Sequence, residues 1–229
     1  MSRTVKIVIA VVIVLAIAGG LGAWYLFGED TPAKLSLSDD TKASGRTVSV
    51  AGTWKVKTPS GDSEDTVAGY RVNEKFSGGV ATKTAAGRTS DVSGTVIVAG
   101  RTIRSGHVRV ILTNLHSSRA QRDAAIHTRG LETDKYPNAT FDLIKQVRLP
   151  EVRSGKVFRV KVTGRLSLHD VARTVTTDLK LKGTSSKFQV QGSIPIKMKD
   201  YKIDPPNVPG FVTVEDHGTL EIKILLGKT

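Results

Sequence analysis

The sequence predicts an all-β domain, an antiparallel sheet curled into a barrel or sandwich, carried behind one N-terminal membrane-spanning helix. Three observations point there. Apolar and polar residues alternate with period two over most of the chain beyond residue 51, short polar turns separate the alternating runs, and residues 7–27 form one uncharged apolar stretch.

That stretch reads IVIAVVIVLAIAGGLGAWYLF. At about 1.5 Å of rise per residue it spans roughly 30 Å, the thickness of a bilayer's hydrocarbon core. It has no polar face for water. Arg3 and Lys6 precede it and Glu29 and Asp30 follow it, so the positive-inside bias leaves residues 1–6 cytoplasmic and exports the rest. Trp24 and Tyr25 then fall at the outer interface. The expected location is the cell membrane, single-pass, with the C-terminal part extracytoplasmic. A cleaved signal peptide is the rival reading, although its apolar region is ordinarily only about 7 to 15 residues. The chain has no cysteine, which excludes a lipid-modified cysteine and a disulfide framework.

Residues 28–51 are rich in Ser, Thr, Asp, Gly and Lys without an apolar period, and read as a linker or stalk. Residues 52–229 then suit one domain with a sizeable core. Beyond residue 27 the chain carries 32 basic against 21 acidic residues, Arg3 and Lys6 being the only charges before Gly28. The basic residues are spread along the strands, and aromatic content is 5%, so nothing marks a nucleic-acid surface. A solvated face, or attraction to anionic lipid headgroups, accounts for the charge.

The alternation is cleanest over residues 157–169. Phe158, Val160, Val162, Leu166 and Leu168 share one face there, and Arg159, Lys161, Arg165, Ser167 and His169 the other. The pattern recurs in Val175, Leu179 and Leu181; in Phe188, Val190, Ile194, Ile196 and Met198; and in Leu220, Ile222, Ile224 and Leu226. Earlier runs are Tyr70, Val72 and Phe76, then Val108, Val110 and Leu112, then Phe141 and Leu143. A parallel α/β fold would need long helices between these runs, and none is present. Residues 114–134 alone break the pattern, with room for a helical turn or two between strands.

The chemistry-bearing motifs are weak. The five histidines, His107, His116, His127, His169 and His217, show neither i,i+4 nor His-x-Glu spacing. His116, Asp123 and His127 lie in the irregular segment, where a metal-dependent enzyme site would have to form. The pair His169-Asp170 falls in a strand-to-strand turn, where Asp170 tolerates left-handed backbone. Asn138-Ala139-Thr140 forms a glycosylation sequon at the start of a strand. There is no Gly-x-Ser-x-Gly elbow and no phosphate loop, and no catalytic residue, metal or cofactor is assigned.

What remains is the interior. A barrel of about eight strands either fills itself with side chains or holds one apolar ligand. By parity the lining is Tyr70, Val72, Phe76, Val110, Leu112, Ile126, Phe141, Leu143, Phe158, Val160, Leu166, Leu168, Leu179, Ile196, Met198 and Phe211.

Several ordered motifs resemble one family. Trp54-Lys55-Val56 and Gly69-Tyr70-Arg71-Val72-Asn73-Glu74 resemble its opening hairpin. Arg122-Asp123 followed by Tyr136-Pro137-Asn138-Ala139-Thr140-Phe141 is similar to its Arg-Asp, then Tyr-Pro-x-x-x-Phe signature. The run from Leu166 through His169-Asp170 to Val175 resembles its Leu-Thr-Leu-His-Gly-Val-Thr-Lys-Pro-Val hairpin, with Asp170 in place of a glycine. Gly210-Phe211-Val212-Thr213 with Glu215-Asp216-His217-Gly218 is similar to the approach to its closing strand. The family is the YceI-like, or polyisoprenoid-binding, family. The resemblance implies an extended lipocalin-like antiparallel barrel with a short helical insertion, whose apolar tunnel holds a polyisoprenoid or similar long-chain lipid. It further implies that Trp54, Arg122, Asp123, Tyr136, Pro137 and His169 are structural, with Arg122 and Asp123 holding the insertion against the barrel. Ala124, Ala125 and Ile126 are shorter than the family's usual insertion residues. The function so implied is a non-enzymatic carrier or sequestering protein. A structural or stress-response interaction module with a solid barrel is the alternative.

Overall fold

The structure is a computed structural model that describes residues 31–38, 44–58, 66–76 and 81–229. The chain divides into Met1–Pro32, of which only Thr31 and Pro32 are described, and Ala33–Thr229. The expected span at residues 7–27 lies outside the described residues. Among the described residues no helix is long and apolar enough to cross a membrane.

The strands are β1 (Gly52–Val56), β2 (Val67–Phe76), β3 (Ala81–Thr89), β4 (Val92–Ala99), β5 (Thr102–Ile111), β6 (His116–Ser117), β7 (Asn138–Leu143), β8 (Val147–Arg148), β9 (Phe158–Leu168), β10 (Val171–Gly183), β11 (Lys187–Lys197), β12 (Asn207–Val208) and β13 (Val212–Lys228). One α-helix, α1 (Ala120–Thr128), sits in the irregular segment, and a 3-10 turn (Met198–Tyr201) follows β11.

Eight strands close a ring in the order β1, β4, β5, β7, β9, β10, β11, β13, and β13 returns to β1 through Trp54↔Lys228 and Val56↔Leu226. Every pairing is antiparallel, so the fold is a closed eight-stranded barrel with one short helix. Closure removes the exposed edges that an open sheet of this size would carry. β2 runs beside β13 where β1 has left it, and β3 pairs with β2. Between Val214 and Gly218 the β13 register slips against β2, a bulge that bends the strand.

The run read most cleanly in the sequence is β9, which pairs with β10 over its whole length, from Phe158↔Leu181 to Leu168↔Val171. Their two-residue turn has φ of 52° at His169 and 57° at Asp170. Two left-handed residues are what a tight hairpin turn needs to match the strands' twist. β3 and β4 were not visible as alternating runs. Ala, Thr and Gly dominate β3, and its partners in β2 supply the apolar contacts. Met198, read as the end of a strand, opens the 3-10 turn and is buried there.

Part of the segment read as a stalk is laid on the barrel. Ser38 N donates to Gln189 Oε1 at 2.8 Å, Lys223 Nζ to Ser38 Oγ at 2.8 Å and Lys182 Nζ to Ser38 O at 3.1 Å. The Arg88 guanidinium donates to the Ala33 carbonyl, and Leu35 is buried. Arg71 and Glu221, on the outward parity of β2 and β13, form a buried ion pair at 2.8 Å. Further on, Val48 N donates to Val152 O at 2.9 Å and Val50 joins the core. Leu35, Val48 and Val50 show no period because each fills a separate site.

The core has two clusters. One gathers Val50, Trp54, Leu149, Val152, Val160 and Phe188; the other gathers Leu112, Leu115, Leu166, Leu168, Met198, Tyr201 and Ile203.

Candidate ligand tunnel

Between the two clusters lies a cavity of about 240 Å³. It exists because the inward parity of several strands carries small residues. Ile222 on β13 faces Ala68 on one side and Gly192 on the other, and Ile196 faces Gly218. Paired residues in an antiparallel sheet share a face, so small partners leave space beside each large one.

Of the parity assignments, Tyr70, Val72, Val110, Leu112, Phe141, Leu166, Leu168, Leu179, Ile196 and Met198 line the cavity. The other six do not reach it. Phe158 and Val160 have the inward parity but lie deeper, where Phe188 stands edge-on to Trp54 with ring centroids 5.1 Å apart and to Phe158 at 6.3 Å. Those three rings fill the barrel beneath the cavity. Leu143 packs against the same cluster. Phe76 lies past the other end of the cavity, buried edge-on against Phe211 at 5.9 Å, while Phe211 itself is 45% exposed on the loop between β12 and β13. Ile126 is half-buried on α1 and is absent from the lining. Parity separates inside from outside; it carries no depth along the barrel axis.

Lining residues that the parity set omitted include Val162, Val190, Ile194, Leu220 and Ile224, all on the inward faces of runs already visible in the sequence. Leu115, Leu131, Ile203 and Pro206 also line it, from loops that no periodicity marks. Two close approaches shape the wall. A Cβ at Gly164 would stand 2.2 Å from Phe141 Cζ, and one at Gly87 would stand 2.4 Å from Tyr70 Cε1. Each ring packs over a glycine, which holds it in place on the wall it lines.

One polar group was hidden in the alternation. Glu74 has the inward parity of β2 and meets Arg122, whose Nε and Nη2 donate to its two carboxylate oxygens at 2.8 and 3.0 Å. Both side chains are largely buried, at 10% and 15% exposure. Burial raises the Tyr70 phenol well above its ordinary range, against a smaller opposing effect of Arg122.

The YceI-like domain family model matches residues 54–226, the span of the barrel. The chain belongs to the YceI-like family. Among solved structures, a polyisoprenoid binding domain from Saccharophagus degradans implicated in plant cell wall breakdown superimposes with a TM-score of 0.58 at 16% identity, covering 77% of this chain and 98% of that one. Burkholderia cenocepacia BcnA gives 0.51 at 15% identity, covering 68% and 95%. No curated protein matches the chain.

In this YceI-like chain the motif residues contact neighbouring parts of the barrel. Asp123 Oδ1 accepts from Ser117 N at 2.9 Å and fixes the start of α1 to β6. Leu112 N donates to Pro137 O at 2.8 Å as the chain turns into β7. His169 is buried in its turn, with Nδ1 3.1 Å from the Tyr201 carbonyl, Nε2 2.8 Å from Glu132 Oε2 and the Tyr136 ring 4.2 Å away. It ties the β9–β10 turn to the loop after α1 and to the 3-10 turn. Trp54 Nε1 donates to Val50 O at 2.9 Å. The remaining irregular-segment histidines do not converge: His116 is exposed and 3.9 Å from Asp123, and His127 Nδ1 stands 2.9 Å from Thr133 Oγ1.

Proposed function

We propose that this protein binds a polyisoprenoid or similar long-chain lipid in the barrel tunnel, without catalysis, as a membrane-tethered extracytoplasmic carrier or sequestering protein. The observation that carries the reading is an apolar cavity inside a closed barrel of the YceI-like family. A solid barrel would have no such space. Apolar burial is sufficient drive, since each CH₂ taken from water contributes about 0.8 kcal/mol and a long chain needs few polar contacts. The Saccharophagus degradans domain, named for polyisoprenoid binding, has the same fold. The uncharged stretch at residues 7–27 and the basic balance beyond it support a tether to an anionic membrane surface.

The direct test is mass spectrometry of lipid extracted from the protein after release from its native membrane. A prenyl or long acyl chain at near-stoichiometric amount is expected. Protein that carries no such chain overturns the reading.

Truncation separates the tether from the barrel wall. A cut after Phe27 is expected to leave a folded domain that loads from vesicles more slowly than the full chain. A cut after residue 43 also removes Leu35 and Ser38, uncovering Lys182, Lys223 and Gln189. That shorter form should lose about 1.5–3 kcal/mol, the worth of one buried leucine, read as a lower urea midpoint.

A further inference from the structure

The wall of the tunnel is apolar along most of its length, with Thr140, Thr177, Ser193 and Thr219 as neutral polar residues on separate strands. The charged residues of the lining are Arg71, Glu74, Arg122 and Glu221. They cancel in pairs: Arg122 forks onto both oxygens of Glu74, and Arg71 pairs with Glu221 from the outward side of the wall. Asp123, held by Ser117 N, adds negative charge nearby. Among the described residues no lysine or histidine lines the cavity. A phosphate or diphosphate drawn inside would therefore meet no surplus positive charge to offset its lost hydration.

Beside this pair stands Tyr70. Its hydroxyl is buried and has no hydrogen-bond partner among the described residues. Its ring is pinned across Gly87, so the hydroxyl cannot swing away to find one without moving the strand pair. Burial also keeps the phenol protonated, hence a donor, at neutral pH. A donor left in an apolar wall is destabilising until an acceptor is brought to it.

We infer that the tunnel favours a long-chain lipid with an uncharged oxygen at its head, a carbonyl, ether or hydroxyl oxygen that receives the Tyr70 O–H, over the same chain ending in phosphate or diphosphate. The inference rests on the lipid-binding reading and narrows its ligand class.

The test uses the full chain in detergent, stripped of lipid, with three probes of one chain length: a geranylgeranyl methyl ketone, the hydrocarbon lacking the oxygen, and geranylgeranyl diphosphate. The ketone is expected to bind about fivefold tighter than the hydrocarbon, the worth of one net hydrogen bond, and the diphosphate no tighter than the hydrocarbon. Tyr70→Phe should bring the ketone's affinity down to that of the hydrocarbon measured on the same variant, and a urea midpoint near wild type shows that the variant folds. A ketone preference that survives Tyr70→Phe, or a diphosphate that binds tightest, overturns the inference and leaves the lipid reading standing. Binding of none of the three overturns the lipid reading and this inference with it.

Discussion

Replacing Arg122 by alanine is expected to destabilise the barrel by about 3–5 kcal/mol and to free α1 from the wall. The cost comes from the partner left behind. Glu74 is buried and both its oxygens are satisfied by the guanidinium, so without Arg122 it becomes an uncompensated buried carboxylate. The other anchors are hydrogen bonds, such as that from Ser117 N to Asp123 Oδ1, since no residue of α1 is fully buried and its N-terminus lacks a side-chain cap. Urea unfolding should show the lower midpoint, and amide exchange over Ala120–Thr128 should quicken. The double variant Glu74→Leu with Arg122→Met separates charge from shape. If the ion pair is the cause, removing both partners restores most of the loss, because a buried pair replaced by apolar residues is often near neutral. Equal destabilisation in the single and double variants would mean that the packing of the arginine stem carries the helix instead.

The pair also shows where the sequence stops being legible. Glu74 stands in the inward register of Tyr70, Val72 and Phe76, and its partner lies 48 residues away on α1. Nothing local announces that a carboxylate at an inward position is satisfied. The β9–β10 hairpin is the opposite case. Its alternation, its polar outer face and Asp170 in the turn are all local signals, and the structure follows them from Phe158 to Leu168, while His169, expected on the outer face, is buried in the turn. β3 falls between, because its Ala, Thr and Gly residues carry too little apolar contrast to alternate visibly and take their place from pairing with β2. The lining shows the same limit in another form. Phe158 and Phe76 have the parity of Leu166 and Tyr70, yet one belongs to the aromatic layer with Trp54 and Phe188 and the other to the contact with Phe211. Depth is set by strand tilt and stagger around the whole ring, which no single run encodes.

Those layers give the cavity its limits, and they let occupancy be tested apart from stability. Replacing Ile222 by tryptophan places an indole between Ala68 and Gly192, two small partners that leave space beside it. Co-purified lipid is expected to fall at least about tenfold, because chain and indole compete for one space and the lost burial exceeds the roughly 1.4 kcal/mol that a factor of ten represents. The melting temperature of the lipid-free protein should move little, since the ring fills a void already present. The matching change at depth, Phe158→Trp, enlarges a side chain that already packs against Phe188. It should cost about 1–3 kcal/mol by overpacking and leave lipid content close to wild type. The two readouts must therefore separate: occupancy lost without stability at Ile222, stability lost without occupancy at Phe158. A barrel whose interior is solid in solution would instead pay the overpacking cost at both positions and show no lipid to lose at either.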